Sequence, residues 1–306
     1  MQRKELFIGQ RKDKMFPSIE ISTRPTRWDI PKEDEDNRTV VIVFSRNRPL
    51  QLDLCLNSLL YCCLDPENIG QLFVIYKNDK EYIYAFNTLI NEHPEATFIA
   101  ETDFKQNVLD CLKNRQFVVF VTDDTIFCNP FSVQDIAKKL DEYNRVLGFS
   151  LRLSCHTSYC YPLNKSQNIP MMDDVGNGIM MYFWPITELD FFYPLELSSS
   201  VYRTEDILKI IEDKDFSNPN SLEALMYVQI GAFINSKYCM MCYKKSAAFA
   251  APNNRVQNVA PDNRFGNKEE YDPERLLIIY ENGIRVDHKK FYGMIPKSVH
   301  VEANYF

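Results

Sequence analysis

Two adjacent aspartates, Asp123 and Asp124, follow directly on the apolar run FVVFVT at residues 117–122. The run is typical of a strand buried in a sheet, so both carboxylates stand where the strand leaves the sheet. Neighbouring carboxylates repel each other unless a positive charge lies against them. Mg²⁺ and Mn²⁺ prefer oxygen ligands, take one or two carboxylates and fill their other positions from phosphate oxygens and water. The pair therefore predicts a Mn²⁺ or Mg²⁺ site for a phosphate-bearing ligand.

Polar residues also follow three other predicted strands. They occur in the segments SRNRP at 45–49, YKND at 76–79 and ETDFK at 101–105. Ligands of open α/β sheets bind outside the carboxyl ends of the strands. We therefore expect basic groups and carboxylates to converge at one edge of the sheet.

The glycine-rich phosphate-binding motifs are missing from the sequence. Neither G-x-G-x-x-G nor G-x-x-x-x-G-K-[ST] occurs anywhere in the chain. This argues against a dinucleotide dehydrogenase and a P-loop nucleotide hydrolase. A diphosphate would then need the divalent cation for charge neutralisation.

The elements that position these residues alternate between strand and helix. TVVIVFS (39–45) predicts a strand buried on both faces, and the leucine-rich segment that follows predicts a helix with Pro49 in its first turn. Strands and helices then alternate up to VLGFSLRLS, which ends at residue 154. Such alternation predicts βαβ units and a mainly parallel sheet. Further on, CMMC at 239–242 has no second cysteine pair and favours a buried strand over a metal or redox site.

Composition limits the classes of partner. The net charge of −7 and pI near 5.3 argue against nucleic acid, which needs clustered Lys and Arg. The sequence has no apolar run of the ~20 residues that a transmembrane helix needs and no signal-peptide pattern. Nine cysteines, spread through apolar segments, favour reduced thiols and a cytoplasmic protein. Residues 1–37 are polar and proline-containing, and we interpret them as an N-terminal extension.

The order of these segments resembles the GT-A fold of nucleotide-sugar glycosyltransferases, especially bacterial and viral family-2-like enzymes. The resemblance begins with SRNRP, YKND, FKQNVLDCL and VFVTDDTIF. It continues through SSVYRTEDIL, FSNPNSLEALM, NNRVQN and SVHVEANYF. It implies a single α/β domain over 38–306 with a GT-A (Rossmann-like), mainly parallel central sheet flanked by helices. Residues 38–150 would bind the nucleotide sugar and 151–306 the acceptor.

The resemblance also implies a transfer reaction and a metal site. A sugar would move from a nucleoside-diphosphate sugar to a hydroxyl of a glycan or similar acceptor. A full D-x-D motif would need an aspartate at Thr122 or Thr125, whereas this chain has the adjacent pair. We expect Asp124 to ligate the metal and Asp123 to face the ribose or the metal's hydration shell. His300 would complete the metal site.

Several residues are implied for donor binding. Arg46 and Arg48 would lie near the nucleotide, and Asn78 or Asp79 would hydrogen-bond the base. Lys105 would reach ribose or phosphate, and Arg255 would offset the charge of the leaving group. The predicted donor-binding set is Ser45, Arg46, Arg48, Asn78, Asp79, Lys105, Asp123 and Arg255. Each basic residue has the alternative of a solvated side chain.

Two carboxylates are candidates for the general base that accepts the acceptor's hydroxyl proton. Glu223 is preferred over Asp206 because its segment resembles the family more closely. Both have structural alternatives. Asp206 could favour a helix N-terminus capped by Thr204, and Glu223 could form a capping box with Asn220.

Other interpretations stay open at this point. An inverting mechanism needs the base and a retaining one does not. The aromatic segment around Trp184 would line the acceptor cleft or fill the core. The incomplete D-x-D favours a catalytically silent glycan-binding or scaffold protein of the same fold. A sugar-phosphate nucleotidyltransferase would share the scaffold and metal, but the first strand lacks its glycine-rich loop.

Overall fold

The fold is taken from a computed structural model that describes residues 39–255, 264–266 and 268–306. The predicted N-terminal extension at 1–37 and the end of the NNRVQN segment, 256–258, lie outside the described residues.

Strands make up the centre of the described part of the chain. The thirteen strands found there are β1 Thr39–Arg46, β2 Ile69–Lys77, β3 Thr97–Ala100, β4 Phe117–Thr122, β5 Thr125–Phe127, β6 Val146–Ser150, β7 Tyr159–Cys160, β8 Lys165–Ser166, β9 Asp173–Asp174, β10 Ile179–Phe183, β11 Ser200–Arg203, β12 Cys239–Tyr243 and β13 Ala248–Ala250.

Helices flank the strands. The seven α-helices of the same described residues are α1 Pro49–Cys62, α2 Ile83–Glu92, α3 Phe104–Leu112, α4 Val133–Glu142, α5 Thr204–Ile211, α6 Pro219–Val228 and α7 Pro273–Glu281.

One nine-stranded sheet has the order β3-β2-β1-β4-β11-β6-β12-β10-β9. The pairs β3–β2, β2–β1, β1–β4 and β6–β12 are parallel, and the other four pairs are antiparallel. Only β11 and β10 therefore run against the other strands of this sheet. The predicted α/β domain with a mostly parallel sheet is confirmed.

The central strand β1 is buried on both faces, as its β-branched sequence predicts. Val41 and Val43 pack into one apolar cluster, which receives α1, α2, α4 and α7. Val40 and Ile42 pack into the other cluster, with α3, α5 and α6. Two helical layers thus cover the sheet and leave its strand ends open. Pro49 is the first residue of α1, as predicted.

The second half of the chain joins the sheet through β11, which lies between β4 and β6. CMMC forms β12, a buried strand beside β6, and all nine cysteines are free thiols. The strand prediction for this segment is therefore confirmed. Trp184 is 0% exposed in the apolar core, so the core alternative is the correct one for this side chain.

The longest of the described helices, α1, has 14 residues. None of those between residues 39 and 306, gaps excepted, combines the length and apolarity that crossing a membrane requires.

Candidate active site

A cleft of about 730 Å³ opens at the carboxyl ends of β1, β2, β3 and β4. The predicted convergence of charged side chains at one edge of the sheet is confirmed here. The charged and aromatic side chains used below that line the cleft are Arg46, Arg48, Lys77, Glu101, Asp123, Asp124, Arg152, Asp190, Tyr193, Glu196, Glu223, Arg255 and His300.

Arg48 supplies the positive charge that the aspartate pair requires. Its Nη1 lies 3.0 Å from Asp123 Oδ1 and 3.6 Å from Asp124 Oδ2, and its Nη2 donates to the Asn254 carbonyl at 2.8 Å. Burial acts to lower the pKa of Arg48, but the two carboxylates outweigh burial and raise it. The guanidinium is therefore a fixed cation at the end of β4.

Both carboxylate oxygens of Asp123 accept hydrogen bonds from the protein. Ser45 Oγ donates to its Oδ2 at 2.9 Å, and the Arg46 backbone N–H donates to the same oxygen at 3.2 Å. Arg48 occupies Oδ1, and the Asp123 side chain is only 6% exposed. This aspartate holds the loop after β1 against the end of β4.

Asp124 is the more accessible member of the pair. Its side chain is 21% exposed. Thr122 Oγ1 donates to its Oδ1 at 2.8 Å, while Oδ2 lies beyond hydrogen-bond distance of Arg48. Asp124 is therefore better placed than Asp123 to bind a cation from solvent.

His300 reaches the cleft from a C-terminal segment that extends the strand pair β5–β13. Thr125 pairs with Ala250, and Ala250 in turn pairs with His300. Asn253 holds the segment from both sides, since its side chain donates to the Ala303 carbonyl at 2.5 Å and accepts the Ala303 N–H at 2.8 Å. The segment is thus a fixed wall of the cleft.

The imidazole of His300 is neutral. Burial, with a further contribution from Arg152, lowers its pKa to about 3. Nε2 lies 3.5 Å from Arg152 Nη1, and the buried Nδ1 has no hydrogen-bond partner among the described residues. Because Arg152 can only donate, Nε2 accepts in this contact and Nδ1 carries the proton, so Nε2 is the nitrogen whose lone pair a metal ion would need.

The side chains of the cleft that could ligate a metal fit a cation only in part. Among residues 39–255, 264–266 and 268–306, no three His, Cys, Asp or Glu side chains are grouped as a metal site. Asp124 and His300 share the cleft, and Mn²⁺ or Mg²⁺ commonly takes few protein ligands and completes its shell with phosphate and water. A metal ion at this position would need most of its ligands from a bound phosphate and water.

Arg152 and Glu196, which both line the cleft, form a buried ion pair. Arg152 Nη2 lies 2.7 Å from Glu196 Oε2, and both side chains are below 8% exposed. Glu196 also accepts hydrogen bonds from the Ser198 N–H and the Ser200 hydroxyl. The pair fixes a positive group and a negative group beside Glu223.

Glu223 lies in α6 with an unusually basic carboxyl group. Burial and the neighbouring Glu196 raise its pKa to about 7, and Arg152 opposes the rise. The Leu197 N–H donates to Oε1 at 3.3 Å. A carboxyl group with a pKa near the working pH has the property required of a general base.

The predicted capping box of Asn220 and Glu223 is wrong. Asn218 is the N-cap of α6, and Ser221 completes the box with reciprocal hydrogen bonds. The pattern N-P-N-S-L-E offers two asparagines two residues apart, and Pro219 at the first helical position selects the earlier one. Glu223 therefore takes no part in the cap, and it lines the cleft.

Asp206, the other predicted base, lies outside the cleft lining. It is buried 2.8 Å from Lys237 Nζ and 3.6 Å from Arg203 Nη1. Thr204 does not cap α5, because its hydroxyl has no partner among the described residues. The geometry is that of a structural ion pair.

The predicted donor-binding residues divide into two groups. Ser45, Arg46, Arg48, Asp123 and Arg255 line the cleft, and Arg255 stacks over Phe265 at 5.1 Å.

Asn78, Asp79 and Lys105 are outside the cleft lining. Asp79 exchanges two hydrogen bonds with Asn47 at 2.6 and 2.9 Å. Lys77, which the prediction passed over, lines the cleft and pairs with Glu101 at 2.8 Å. At the end of β2, Lys77 therefore lines the cleft, and Asn78 and Asp79 do not.

Besides Lys77, sequence reasoning did not single out Arg152 or Glu196, and it left open whether the aromatic segment that contains Asp190 and Tyr193 lines the cleft or fills the core. Arg152 had a usable signal, because a lone arginine inside the apolar segment VLGFSLRLS requires a buried partner. Asp190, Tyr193 and Glu196 lie in an irregular segment with no periodicity that would assign a face.

In sequence, the chain is 24% identical over 300 residues to the bifunctional glycosyltransferase pgtA of Dictyostelium discoideum. The match covers 87% of this chain and 39% of that protein, so the chain spans well under half the length of this relative. No protein-family model matches the chain. The resemblance to glycosyltransferases that the sequence predicts is confirmed by this relative.

Solved structures give more distant likenesses. S. aureus TarS 1-349 in complex with UDP-GlcNAc is 15% identical and has a TM-score of 0.44, with 83% of this chain and 69% of that chain covered. The mannosyltransferase PcManGT from Pyrobaculum calidifontis, in complex with GDP-Man and Mn2+, is also 15% identical, with a TM-score of 0.33. That match covers 60% of this chain and 49% of the other.

Proposed function

We propose that this chain is a glycosyltransferase of the GT-A type that moves a sugar from a nucleoside-diphosphate sugar to an acceptor hydroxyl. The observation that carries the proposal is the arrangement of the cleft. Arg48 and the accessible Asp124 lie at the strand ends, and the half-buried Glu223 lies in the same cleft with a pKa raised to about 7. The sequence similarity to a glycosyltransferase supports the same activity.

The donor diphosphate would bind at the ends of β1 and β4. Arg46 and Arg48 line this part of the cleft, and basic groups there offset phosphate charge. Asp124 and His300 would hold a Mn²⁺ or Mg²⁺ ion, which would stabilise negative charge on the departing diphosphate when bound. Asp123 would keep Arg48 in position through its 3.0 Å ion pair.

Glu223 would act as the general base. The acceptor oxygen forms a new bond to the anomeric carbon while the bond from that carbon to the diphosphate oxygen breaks. The acceptor's hydroxyl proton passes to the Glu223 carboxylate, and the bonding electrons leave with the nucleoside diphosphate. A carboxylate with a pKa near neutrality is a stronger base than an ordinary one, and it is mostly ionised once the pH exceeds about 7. This role belongs to an inverting transfer.

One observation favours a second candidate, a glycan-binding protein that performs no transfer. Arg48 already lies against both aspartates, so their mutual repulsion is relieved without a metal ion. A protein of this second kind would bind sugars in the cleft and release no nucleotide.

A nucleotide-release assay separates the two candidates. The full chain is incubated with UDP-, GDP-, ADP-, CDP- and dTDP-sugars, with and without Mn²⁺, and the freed nucleotide is measured. We expect one donor to be hydrolysed slowly in Mn²⁺. We also expect Asp124→Asn and Glu223→Gln to lose this activity.

Two surface variants serve as matched controls for that assay. Asp141→Asn changes an exposed residue of α4, and Glu205→Gln changes an exposed residue of α5. Both should keep the wild-type rate. Thermal-shift binding of every donor should be measured in parallel. A folded protein that neither binds nor hydrolyses any donor would overturn the proposal and favour the glycan-binding candidate.

A further inference from the structure

One wall of the cleft carries polar and aromatic side chains that have no part in the proposed binding of the nucleotide sugar. This acceptor wall consists of Asp190 and Tyr193, on the segment 189–193, together with Asn218 and Asn220 at the start of α6. We propose that the acceptor wall binds an uncharged sugar, with the Tyr193 ring against the sugar and the Asp190 carboxylate accepting hydroxyl hydrogen bonds. The identification of this sugar as an acceptor rests on the proposed function, whereas its binding does not.

Asp190 is held in place by neutral groups. The Gln167 side chain pairs with it twice, since Nε2 donates to Oδ2 at 3.0 Å and Oε1 accepts the Asp190 N–H at 3.1 Å. Gln167 is only 6% exposed, and Cys160 Sγ lies 3.5 Å from Oδ1. A carboxylate has about four acceptor positions, so two bonded donors leave capacity for a ligand. The carboxylate is therefore fixed without being saturated.

Tyr193 is fixed by a second tyrosine. Its ring stacks on Tyr227 with centroids 4.9 Å apart and an interplanar angle of 22°. A tyrosine presents an apolar ring and a polar hydroxyl, which suits the mixed C–H and O–H surface of a sugar. Because Tyr227 restrains the ring, little side-chain freedom would be lost on binding.

The backbone of this wall is strained where it enters the cleft. Leu189, which precedes Asp190, has a φ of 51°, a left-handed conformation that non-glycine residues seldom adopt. Leu189 also lines the cleft. Strained backbone of this kind persists where the surrounding structure determines it, and it is common at ligand sites.

The charged side chains on and around the acceptor wall favour an uncharged sugar over an anionic one. Asp190 of the wall and its cleft neighbours Glu196 and Glu223 are acidic. Arg152 already pairs with Glu196 at 2.7 Å, and Arg264, which also lines the cleft, lies 3.8 Å from Glu302. A phosphorylated or carboxylated sugar would meet repulsion from the acidic side chains in a partly dehydrated cleft. An uncharged sugar would meet no such repulsion, and its hydroxyl groups could donate to the carboxylates. The wall therefore favours a neutral hexose or N-acetylhexosamine over an anionic acceptor.

Saturation-transfer NMR tests the binding without requiring catalysis. The probes are the methyl β-glycosides of glucose, galactose and N-acetylglucosamine. Glucose 6-phosphate and glucuronic acid are their charged counterparts. Each probe is titrated into the full chain with the nucleoside diphosphate that gives the largest thermal shift, or with none if no nucleotide binds. We expect at least one neutral glycoside to bind and both charged sugars to bind more weakly.

Variants assign the binding to the wall. Tyr193→Ala should weaken the Kd for the neutral glycoside about tenfold, and Tyr193→Phe should retain most of the affinity. Asp190→Asn should also weaken binding, because an amide offers fewer acceptor positions than a carboxylate. Tyr84→Ala, at a 68% exposed site on α2, is the matched control and should bind like the wild type.

The outcomes separate the two proposals. Unchanged glycoside affinity in Tyr193→Ala, tighter binding of the charged sugars, or no binding of any glycoside would overturn the inference. Tyr193-dependent binding in a protein that never releases nucleotide would overturn the transferase proposal alone. Nucleotide release by the wild type, together with a glycoside affinity that Tyr193→Ala leaves unchanged, would overturn the inference about the acceptor wall. The transferase proposal would then still stand.

Discussion

Arg48 and Asp123 form an ion pair of 3.0 Å at the end of β4, where the guanidinium also lies 3.6 Å from Asp124. The two neighbouring carboxylates therefore have different surroundings although they are adjacent in sequence. Asp123 accepts three hydrogen bonds from the protein, and Asp124 is the more accessible of the two. Their substitution should have different consequences for folding and for ligand binding.

Asp123→Asn should destabilise the protein. It weakens the main counter-charge of a buried arginine, and breaking a buried ion pair of this kind destabilises by about 3 kcal/mol. Urea denaturation followed by circular dichroism measures the change. Asp124→Asn should change the unfolding free energy much less, because its side chain is 21% exposed and 3.6 Å from Arg48. Equal losses in both variants would contradict this division.

Glu223→Gln should reduce transfer by about 10²–10⁴-fold, the usual contribution of a general base. In the wild type, kcat/KM should fall as pH decreases below about 7, because the pKa of Glu223 is raised to about 7 and protonation removes the base. Initial rates between pH 5 and 9 measure the profile. A flat profile across this range would exclude Glu223 as the base.

Glu223→Gln should also stabilise the protein in alkaline solution. The pKa of Glu223 is higher in the folded state than its ordinary value of 4.5, so the folded state loses stability as pH rises from 4.5 through about 7. A glutamine carries no charge at any pH and avoids that loss. Melting temperatures at pH 5 and pH 8 should show the variant's advantage only at the higher pH. Glu205→Gln, which is exposed, should show no such dependence.

His93 should stabilise the protein in a pH-dependent way. The buried imidazole lies 3.0 Å from Asp53 and 2.8 Å from Glu95. Burial acts to lower its pKa, but the hydrogen bonds and charges of the two carboxylates raise it from 6.5 to about 9. A shift of that size corresponds to about 3 kcal/mol, fully present below pH 6.5 and lost as pH rises through 9.

The measurement for His93 is the unfolding free energy of the wild type and of His93→Gln at pH 6 and pH 10. The difference between the two proteins should shrink at the higher pH. His156→Gln changes an exposed histidine and serves as the control. A difference that is constant with pH would mean that folding does not shift the pKa of the imidazole.

Asp65 lies outside α4 but should stabilise the start of that helix as a cap. Its carboxylate accepts hydrogen bonds of 2.8 Å from Ser132 Oγ and from the N–H groups of Val133 and Gln134 at the start of α4. Asp65→Ala should lower the unfolding free energy by about 1–2 kcal/mol, the usual loss for a missing cap. The urea midpoint measures it. Glu67→Gln, two residues away and exposed, should leave the midpoint unchanged.

The sequence predicts the scaffold better than the site. β-branched runs identify β1 and β4, and their burial on both faces follows from that composition. The carboxyl ends of parallel strands then bring Arg48, Asp123 and Asp124 together. This part of the cleft depends only on local pattern and sheet topology, and both are readable from the chain.

The rest of the cleft depends on contacts between distant segments. Arg152 and Glu196 meet across 44 residues, and neither has a local pattern that names its partner. His300 reaches the cleft only because its segment pairs with Ala250. Asp206 and Glu223 are both acidic residues of helices, and only tertiary packing separates an ion pair from a cleft residue. The choice between Asn218 and Asn220 as N-cap likewise depends on a two-residue register.

The position of β11 affects how the protein is assembled during synthesis. β4 and β6 emerge from the ribosome before β11, yet β11 lies between them in the finished sheet. A nascent chain that has exposed residues 39–150 therefore carries two strand edges that cannot pair with each other correctly. Unpaired edges attract other strands and promote misassembly. Chaperones that shield these edges until residue 203 has emerged should raise the yield of folded protein, and a ribosomal pause shortly before β11 should lower it.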